Sequence, residues 1–432
     1  MSASHVRDGH GRLAELSLGA RLFAQGAMTW VFAQRGDPMA RLLHAPWRND
    51  PYPQHRLLRE QGPLVRSKLG VLLATTHELC DEVLRDRRFG VRTSDGAYGD
   101  PTASAVELQL SLLELDPPDH SRLRKLAAPA FRPRRMETYR ARIEQITDEL
   151  LDRAVARGEF DVVRDFAGPL PIRVICELLG LPPLDAERLA RHGRILAGAL
   201  DGIRSPRHLR QMRESFTELD AMFDRLIEQR RANPGEDVVS DLVAALDEDK
   251  LTGTELVQLC DVLLVAGFET TVNLIGNGTH ALLRHPEQWA QLRADPDLAP
   301  AVVEETLRWD PPVQMTMRIA HEPLDLAGRH LPLDTPVLTL LAAAGRDPAV
   351  HPDPDRFDIN RPDRAEHLAF SSGIHYCLGA PLARLEAEIA FRNLATRLPG
   401  LRRAGAPKPR PTSLIHGLAT LPATTNHTLT PT

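Results

Sequence analysis

The sequence predicts a mainly α-helical fold with a minor β region. Apolar residues recur with helical periodicity through most of the chain from residue 119 onward, whereas β-type alternation is clearest in residues 64–75. A proline-dense stretch over residues 348–362 has no regular period, which predicts an irregular meander. The chain has 432 residues, of which 42% are hydrophobic, and it can therefore bury a large core.

The first segment, residues 1–48, is expected to form an N-terminal extension, and residues 49–432 a single domain. Residues 13–34 are moderately apolar, but Glu15 and Arg21 interrupt them and no small-residue cleavage site follows. This pattern matches neither a signal peptide nor a membrane span. We expect a short amphipathic helix that rests on the body of the protein.

The domain is expected to begin with a turn at residues 49–53 that caps a helix ending at Arg59. A hairpin over residues 64–75 should turn near Gly70. Residues 92–114 are polar and weakly periodic, which predicts a long loop. Long helices are predicted over residues 136–157, 209–231, 251–284 and 298–309.

The formal net charge of −5 argues against a protein dedicated to nucleic-acid binding. Positive charge is nevertheless dense in one segment, whose basic residues are Arg122, Arg124, Lys125, Arg132, Arg134 and Arg135. This basic segment could dock an acidic protein, or it could be a solvated helix face. Charge alone does not separate the two interpretations.

Four cysteines lie far apart, without Cys-x-x-Cys pairs or zinc-type spacing, which predicts free thiols in a reducing cytoplasm. Cys80, Cys176 and Cys260 are expected to be small buried apolar residues. Cys377 differs from them because the residues around it predict a functional thiol.

Cys377 lies in a loop punctuated by Gly373 and Gly379, and Pro381 opens an amphipathic helix directly behind it. Unpaired N–H groups and the positive end of the helix dipole should lower the pKa of such a thiol, and iron binds the thiolate form. The two glycines would let the backbone turn tightly and lie close to a flat ligand, and Phe370 could pack beside that ligand.

Residues 370–379, Phe-Ser-Ser-Gly-Ile-His-Tyr-Cys-Leu-Gly, resemble the haem-binding loop of cytochromes P450. The family pattern Phe-x-x-Gly-x-His/Arg-x-Cys-x-Gly is met at every fixed position. The resemblance runs from about residue 49 to the C terminus. It implies the P450 fold, a triangular helix-rich domain with small β-sheets, and a haem b cofactor whose iron is bound by the Cys377 thiolate.

Residues 266–271, Ala-Gly-Phe-Glu-Thr-Thr, lie in the middle of the longest predicted helix. Small residues such as Ala266 would leave a gap against a flat ligand, and Thr270 could bond back to the Ala266 carbonyl and distort the turn into a bulge. The simpler interpretation is a solvent-facing Glu269 and a threonine satisfied by its own helix. By the resemblance, Thr270 guides proton delivery during oxygen activation and Glu269 is the relay acid.

Glu305 and Arg308 are three residues apart and share a helix face. Alone, this spacing indicates only an exposed ion pair. The resemblance adds an arginine of the meander, matched here by Arg356 in Pro-Asp-Arg-Phe. It implies a buried structural triad that fixes the loop carrying the cysteine.

His120 and Arg124 are spaced i, i+4 on a predicted helix for which Asp119 is a plausible N-cap. By the resemblance they hold the haem propionates together with Arg318 and His375, because buried carboxylates need charge-assisted donors. Taken singly, each of these residues could equally be an ordinary surface residue.

Candidate pocket residues come from the longest helix, from the segment after two consecutive prolines, and from the chain near its C terminus. They are Val262, Val265, Ala266, Val313, Gln314, Met315, Thr316, Ile415 and His416. The set is mostly aliphatic with a few polar groups, which suits a sizeable apolar molecule that carries some oxygen functions. Each residue could equally belong to the core.

The resemblance implies a monooxygenase that inserts one oxygen atom from O2 into a C–H bond or double bond of a polyketide or macrolide, lipid or terpenoid. Electrons would come from an acidic ferredoxin and an NAD(P)H-dependent ferredoxin reductase, with docking on the basic segment. We expect a cytoplasmic monomer without a nucleic-acid partner or membrane span.

Two alternatives remain at this point. One is a peroxygenase of the same fold that uses H2O2, and the other is a haem sensor or carrier without turnover. The presence of both Glu269 and Thr270 favours the monooxygenase.

Overall fold

The computed structural model describes residues 12–97, 111–182, 186–198, 201–361 and 367–425. Helices dominate this part of the chain and the strands form small sheets, which confirms the predicted fold class. The helices are α1 (Arg12–Gln34), α2 (Pro38–Leu42), α3 (Tyr52–Arg59), α4 (His77–Arg85), α5 (Ser111–Glu114), α6 (Asp119–Ala127), α7 (Pro133–Thr138), α8 (Arg140–Arg157), α9 (Pro169–Leu179), α10 (Ala186–Ala197), α11 (Pro206–Ala232), α12 (Val238–Asp247), α13 (Gly253–Arg284), α14 (Pro286–Ala294), α15 (Ala299–Trp309), α16 (Leu341–Ala344) and α17 (Ala380–Arg397).

The strands are β1 (Leu64–Arg66), β2 (Leu72–Ala74), β3 (Phe89–Gly90), β4 (Glu159–Asp161), β5 (Thr316–Ala320), β6 (Leu324–Leu326), β7 (Arg329–Leu331), β8 (Pro336–Thr339), β9 (Arg402–Arg403), β10 (Lys408–Pro409), β11 (Leu418–Thr420) and β12 (Pro422–Thr424). The largest sheet has the order β1-β2-β8-β5-β3. The β1–β2 hairpin is antiparallel as predicted, β2 pairs with β8 in parallel, and Gly70 supplies the positive φ of the turn. A second sheet, β4-β12-β9, joins the C-terminal strands to the end of α8.

The long helix α13 forms the centre of the main core. A capping box between Thr252 and Glu255 fixes its start, and the following His285-Pro286 pair ends it. Helices α9, α10, α15 and α17 pack around it. Among the described helices, α13 alone is long and apolar enough to cross a membrane, but most of it is buried inside the protein, as expected for a core helix.

The structure changes several predicted boundaries. The helix expected over residues 136–157 is two helices, since α7 ends at Thr138 and α8 begins at Arg140. Residues 92–114 were expected to form one long loop. This prediction is wrong for residues 111–114, which form helix α5, and residues 98–110 lie outside the described residues.

Two expected helix caps also differ. Asp119 is the first residue of α6 and not its N-cap, because its carboxylate pairs with Arg122 one turn later instead of turning back to the backbone. The helix after the turn at residues 49–53 starts behind Pro51 without a side-chain cap.

The predicted helix of the N-terminal extension is α1, which packs against α2 and α11. The expectation that it is amphipathic is wrong, because large apolar side chains such as Phe23 and Trp30 lie on its exposed side. The boundary at residue 48 stays a prediction.

The three cysteines expected to be structural, Cys80, Cys176 and Cys260, are buried free thiols. Burial raises the pKa of Cys80 to about 12 and the pKa of Cys260 well above its usual value. Cys377 is only partly buried and is the exception among the four.

Candidate active site

The loop that carries Cys377 is held by its own backbone and by α4. The Cys377 N–H donates to the Phe370 carbonyl (2.8 Å), and α17 starts three residues after the cysteine. Gly373 has a φ of 66°, and a Cβ there would lie 2.3 Å from the Leu84 carbonyl oxygen of α4. Only glycine fits this close approach. At Gly379, by contrast, a Cβ would meet no protein atom within 4 Å, so the backbone there borders open space.

The thiol of Cys377 does not have the lowered pKa that its position before α17 predicts. Burial raises the pKa of Cys377, while N–H groups of Gly379 and Ala380 and the charge of Arg124 act in the opposite direction without outweighing it. The helix N-terminus therefore contributes with the predicted sign, but desolvation of the sulfur is the larger effect. A bound cation would supply the missing stabilisation of the thiolate.

A three-residue cluster connects the two flanks of this loop. Glu304 of α15 accepts hydrogen bonds from His367 (3.2 Å), which precedes the loop, and from Arg384 of α17 (2.7 and 3.1 Å), which follows it. Burial acts to raise the pKa of Glu304, but these hydrogen bonds and charges outweigh it and lower the pKa to about 2. Arg384 also lies over the ring of Phe370, with 4.6 Å between the guanidinium carbon and the ring centre. We call Glu304, His367 and Arg384 the loop clamp. No helix or strand periodicity in the sequence predicts that these three residues meet.

The predicted triad exists, but with a different arginine. Glu305 and Arg308 form a buried two-bond pair (2.7 Å each), and the third member is Arg361, whose Nε donates to Glu305 (3.1 Å). Arg356, predicted for this place, contributes only its backbone carbonyl, which accepts from Arg308. Its side chain is 65% exposed and lies 3.5 Å from Asp358. The meander turns between the two arginines, and that turn brings the later one back to Glu305.

The four predicted propionate ligands lie together. The rings of His120 and His375 are 4.2 Å apart between centres, Arg318 is buried on β5 and contacts Ser371 (3.3 Å), and Arg124 donates to the Tyr376 carbonyl. Burial and the neighbouring arginines lower the pKa of both histidines, that of His375 to about 3. Both ring nitrogens of His120 and Nε2 of His375 are buried without a hydrogen-bond partner. Such a group of positive charges and open donors suits an anionic ligand.

The middle of α13 borders open space as well. From Leu259 to Thr279, only Ala266, Gly267 and Thr270 are partly exposed, while every other residue is buried. The Thr270 hydroxyl donates to the Ala266 carbonyl (2.9 Å), as predicted, but α13 stays regular and the expected bulge is absent from it.

The second member of the predicted proton relay is engaged elsewhere. Glu269 is buried and forms an ion pair with Arg410 near the C terminus. Burial raises the pKa of Glu269, and Arg410 and Arg194 partly offset this effect. Consecutive helix residues point about 100° apart, so Glu269 and Thr270 face different directions. Their joint action in a relay stays a prediction.

Asn273 lies about one turn after Thr270 on α13, and its role in the site was not predicted from the sequence. Its side chain is buried, and neither its oxygen nor its nitrogen has a hydrogen-bond partner. Gly417 allows this placement, because a Cβ at residue 417 would lie 2.3 Å from the Asn273 oxygen. Buried polar groups of this kind normally bind ordered water.

The segments predicted to line a pocket come together, but not with all side chains facing one way. Val313 and Ile415 form a β-bridge that joins residues 313–316 to the C-terminal segment. In extended backbone, consecutive side chains point to opposite sides, so residues 313–316 cannot all line one cavity. Gln314 donates to the Pro311 carbonyl (2.7 Å), and His416 lies 3.5 Å from Asp310.

The side chains of Gln314 and His416 belong to a polar group around Asp310 and Tyr52, and their role in a pocket stays a prediction. Val265 and Met315 are fully buried in apolar core clusters, and Val262 and Ile415 are buried too. The partly exposed members are Ala266, Val313 and Thr316. A pocket role for the apolar members stays a prediction.

Comparison with known proteins identifies the family. The cytochrome P450 family model matches residues 201–398. A putative cytochrome P450 140 of Mycobacterium tuberculosis is 41% identical over 409 residues, covering 90% of this chain and 93% of the relative. The chain is a bacterial cytochrome P450. The 6-deoxyerythronolide B hydroxylase of Saccharopolyspora erythraea is 40% identical over 374 residues (83% of this chain, 90% of the relative). The crystal structure of P450BioI with a hexadec-9Z-enoic acid ligated acyl carrier protein has a TM-score of 0.82 at 38% identity and covers 88% of this chain and 100% of that one.

The residues present fit the haem that this P450 family binds. A planar ligand that carries carboxylates would satisfy the unpartnered ring nitrogens of His120 and His375. Gly379 borders open space, and Ala266 is partly exposed, so both leave room for such a ligand. Cys377 is the one thiol in reach of such a ligand, because the other three cysteines are fully buried. As a P450, the chain is an oxidoreductase of the monooxygenase type.

Proposed function

We propose that this P450 uses haem b, bound through Cys377, to insert one oxygen atom from O2 into a C–H bond or double bond of a sizeable apolar molecule. The observation that carries the proposal is that one partly exposed cysteine lies near four buried or half-buried residues proposed to bind the propionates, His120, Arg124, Arg318 and His375. The sequence has no Cys-x-x-Cys-His attachment motif, which favours non-covalent haem b.

Haem bound through a thiolate supplies the activation of dioxygen for oxygen insertion. The chain supplies the rest. Cys377 would hold the iron, and the loop clamp and the Glu305–Arg308–Arg361 triad hold the Cys377 loop in place. The small side chains in the middle of α13 border open space. Thr270 holds a proton at Oγ1 beside that space. Glu269 would exchange protons with the space through water once it leaves Arg410.

The substrate is expected to be a macrolide-type polyketide, a lipid or a terpenoid. The partly exposed candidates Ala266 and Val313 are small or aliphatic, which suits such a molecule. The named substrate of one relative is 6-deoxyerythronolide B, and one structural neighbour carries a long acyl chain on an acyl carrier protein. Both molecules are large and mostly apolar.

Electrons are proposed to come from an acidic ferredoxin with its NAD(P)H-dependent reductase, in the cytoplasm and to a monomeric P450. Arg124 donates to the Tyr376 carbonyl, so the basic segment of α6 lies against the cysteine loop. Lys125, Arg132 and Arg134 are exposed, whereas Arg122 is paired with Glu255. The cysteine loop adds the exposed apolar groups Ile374 and Tyr376, and a transient docking surface combines such groups with charge.

The test of the proposal is the absorption spectrum of the reduced, haem-loaded protein with carbon monoxide. We expect the thiolate-type spectrum in the wild type and its loss in Cys377→Ala and Cys377→His. Cys176→Ala is the matched control, because this thiol is buried in the core, and it should keep the spectrum. A thiolate-type spectrum that survives the Cys377 substitutions contradicts the proposal.

Thr270→Ala should uncouple electron consumption from product formation, because the hydroxyl beside the open space is lost. Thr271→Ala is the matched control, since this neighbour also bonds back to its own helix (3.2 Å to the Gly267 carbonyl) but is buried. The measurement is product formed per NAD(P)H consumed in the reconstituted system. Equal coupling in both variants would remove Thr270 from the proton path.

A further inference from the structure

Helix α1 carries an exposed apolar face that nothing in the P450 reaction uses. Phe23 is 80% exposed, Trp30 52%, Met28 51% and Val31 40%. Phe23, Trp30 and Val31 follow helical i, i+7, i+8 spacing and therefore form one stripe. The helix has no charged residue from residue 22 to residue 34. Water-facing helix surfaces are normally polar, so this face is unusual for a protein that stays in solution.

The opposite face of α1 is held firmly by the body of the protein. Ala33 is fully buried, its carbonyl accepts from Arg41 (3.1 Å), and Thr29 bonds to His44 (2.9 Å). Gly19 lies beside Pro206 at the start of α11. Because this side is fixed, the stripe of large apolar side chains is presented outward.

The exposed charged side chains that are described on α1 and directly after it are basic. Exposed Arg21 and Arg35 lie near its two ends, and Arg41 lies beside the C-terminal end of the helix. The nearby acid, Asp37, is 3% exposed, and its carboxylate accepts from the N–H groups of Ala40 and Lys68. The rim of the apolar face is therefore positive.

A second copy of the chain would fit this face poorly. A two-fold interface uses the same patch on both copies, so it would bring the arginines beside this face against the same arginines of the partner, and like charges across an interface are unfavourable. An anionic lipid surface satisfies both features, because its headgroups attract the arginines while its acyl region takes up the aromatic and aliphatic side chains.

We propose that α1 lies in the surface of an anionic bilayer with Phe23, Met28, Trp30 and Val31 inserted, so that the protein is a peripheral membrane P450. At about 1.5 Å per residue, the 23-residue helix is roughly 34 Å long and can lie flat at the interface without spanning the membrane. The inference does not depend on the proposed haem chemistry.

The test is co-sedimentation of the full haem-loaded chain with vesicles. We expect binding to vesicles of equal parts phosphatidylglycerol and phosphatidylcholine, weak binding to phosphatidylcholine alone, and loss of binding at high salt. Phe23→Ser combined with Trp30→Ser should weaken binding at least about tenfold. Arg21→Ser and Arg35→Ser should each weaken binding to the anionic vesicles about fivefold.

Leu333→Ser is the matched control, because Leu333 is a 46% exposed apolar residue far from α1 in sequence, and it should leave binding unchanged. All substituted side chains are exposed, so thermal unfolding of the variants should match the wild type and show that they fold. Absence of vesicle binding, or binding that survives the Phe23 and Trp30 substitutions, would overturn the proposal. A vesicle-free dimer that Trp30→Ser dissociates in sedimentation velocity would assign the face to a second copy and overturn it too.

Discussion

On the side of the protein that carries Cys377, the carboxylates of Glu304 and Glu305 are each bonded by several donors, whereas polar side chains in the middle of α13 keep atoms without a protein partner. On the cysteine side, Glu305 binds Arg308, Arg361 and the Asp358 N–H, and Glu304 binds His367 and Arg384. On the α13 side, Oε2 of Glu269 and both polar atoms of Asn273 lack a protein partner.

Under the proposed function, the difference corresponds to what each side would have to do. The iron ligand would have to stay in one position, and a dense set of charge-assisted bonds fixes its loop. The proposed proton delivery needs water and groups that can change partners, and unfilled hydrogen-bonding capacity provides for both. Stability should therefore be sensitive to charges on the cysteine side and tolerant of changes on the α13 side.

The largest effect is expected for Glu305→Gln, because it leaves two buried arginines without their carboxylate. We expect a loss of about 3–5 kcal/mol in the free energy of unfolding, with poor haem incorporation, measured by chemical denaturation and haem content. Asp247→Asn removes one partner of the exposed Arg231–Asp247 pair and should cost less than about 1 kcal/mol. A cost at Glu305 as small as at Asp247 would show that the buried charges near Cys377 do not stabilise the loop as argued.

A second variant pair tests which arginine completes the triad. Arg361→Ala should destabilise the protein by about 2–4 kcal/mol, because it removes the bond to buried Glu305. Arg356→Ala should cost less than about 0.5 kcal/mol, since its side chain is exposed. Denaturant titration of both variants measures the two stability costs. A larger cost for Arg356→Ala than for Arg361→Ala would support the triad predicted from sequence.

These two arginines also illustrate what the sequence could and could not predict. The cysteine loop and the grouping of His120, Arg124, Arg318 and His375 were accessible through the family resemblance, and the Thr270 bond to Ala266 follows from the helix period. Arg361 was missed because its position depends on where an irregular meander turns. The loop clamp joins α15, the segment before the loop and α17, which no local period relates.

The side-chain directions of the predicted pocket segments were missed for a similar reason. Gln314 was assigned to the pocket together with its direct neighbours, although consecutive residues of an extended segment face opposite sides. The lowered pKa predicted for Cys377 considered the helix N-terminus without the competing cost of burial, which depends on tertiary packing. Fold class and motif positions were thus accessible from sequence, whereas side-chain direction and desolvation were not.

The loop clamp gives the cysteine side a pH dependence. The pKa of Glu304 is about 2 in the folded protein and its ordinary value is 4.5. A depressed carboxyl pKa contributes stability that is present above pH 4.5 and lost as the pH falls toward 2. Glu304→Gln should remove about 2–3 kcal/mol of this acid-sensitive stability, seen as a flatter pH profile of the unfolding free energy. Glu137→Gln, at an exposed pair with Arg140, should leave the profile intact; an unchanged profile in Glu304→Gln would contradict the role of the clamp.

On the α13 side, Gly417→Ala should destabilise the protein by about 1–3 kcal/mol, because the new methyl group would meet the Asn273 side chain. Asn273→Ala alone should be nearly neutral, since the removed amide has no protein hydrogen bond to lose. The double variant should recover most of the Gly417→Ala cost, which is a favourable coupling of about 1–2 kcal/mol in a double-mutant cycle. Gly405→Ala is the control, because its Cβ would lie an ordinary 3.6 Å from Pro422. If Asn273→Ala instead cost as much as Glu305→Gln, the amide would be a fixed structural element and the two sides would not differ as argued.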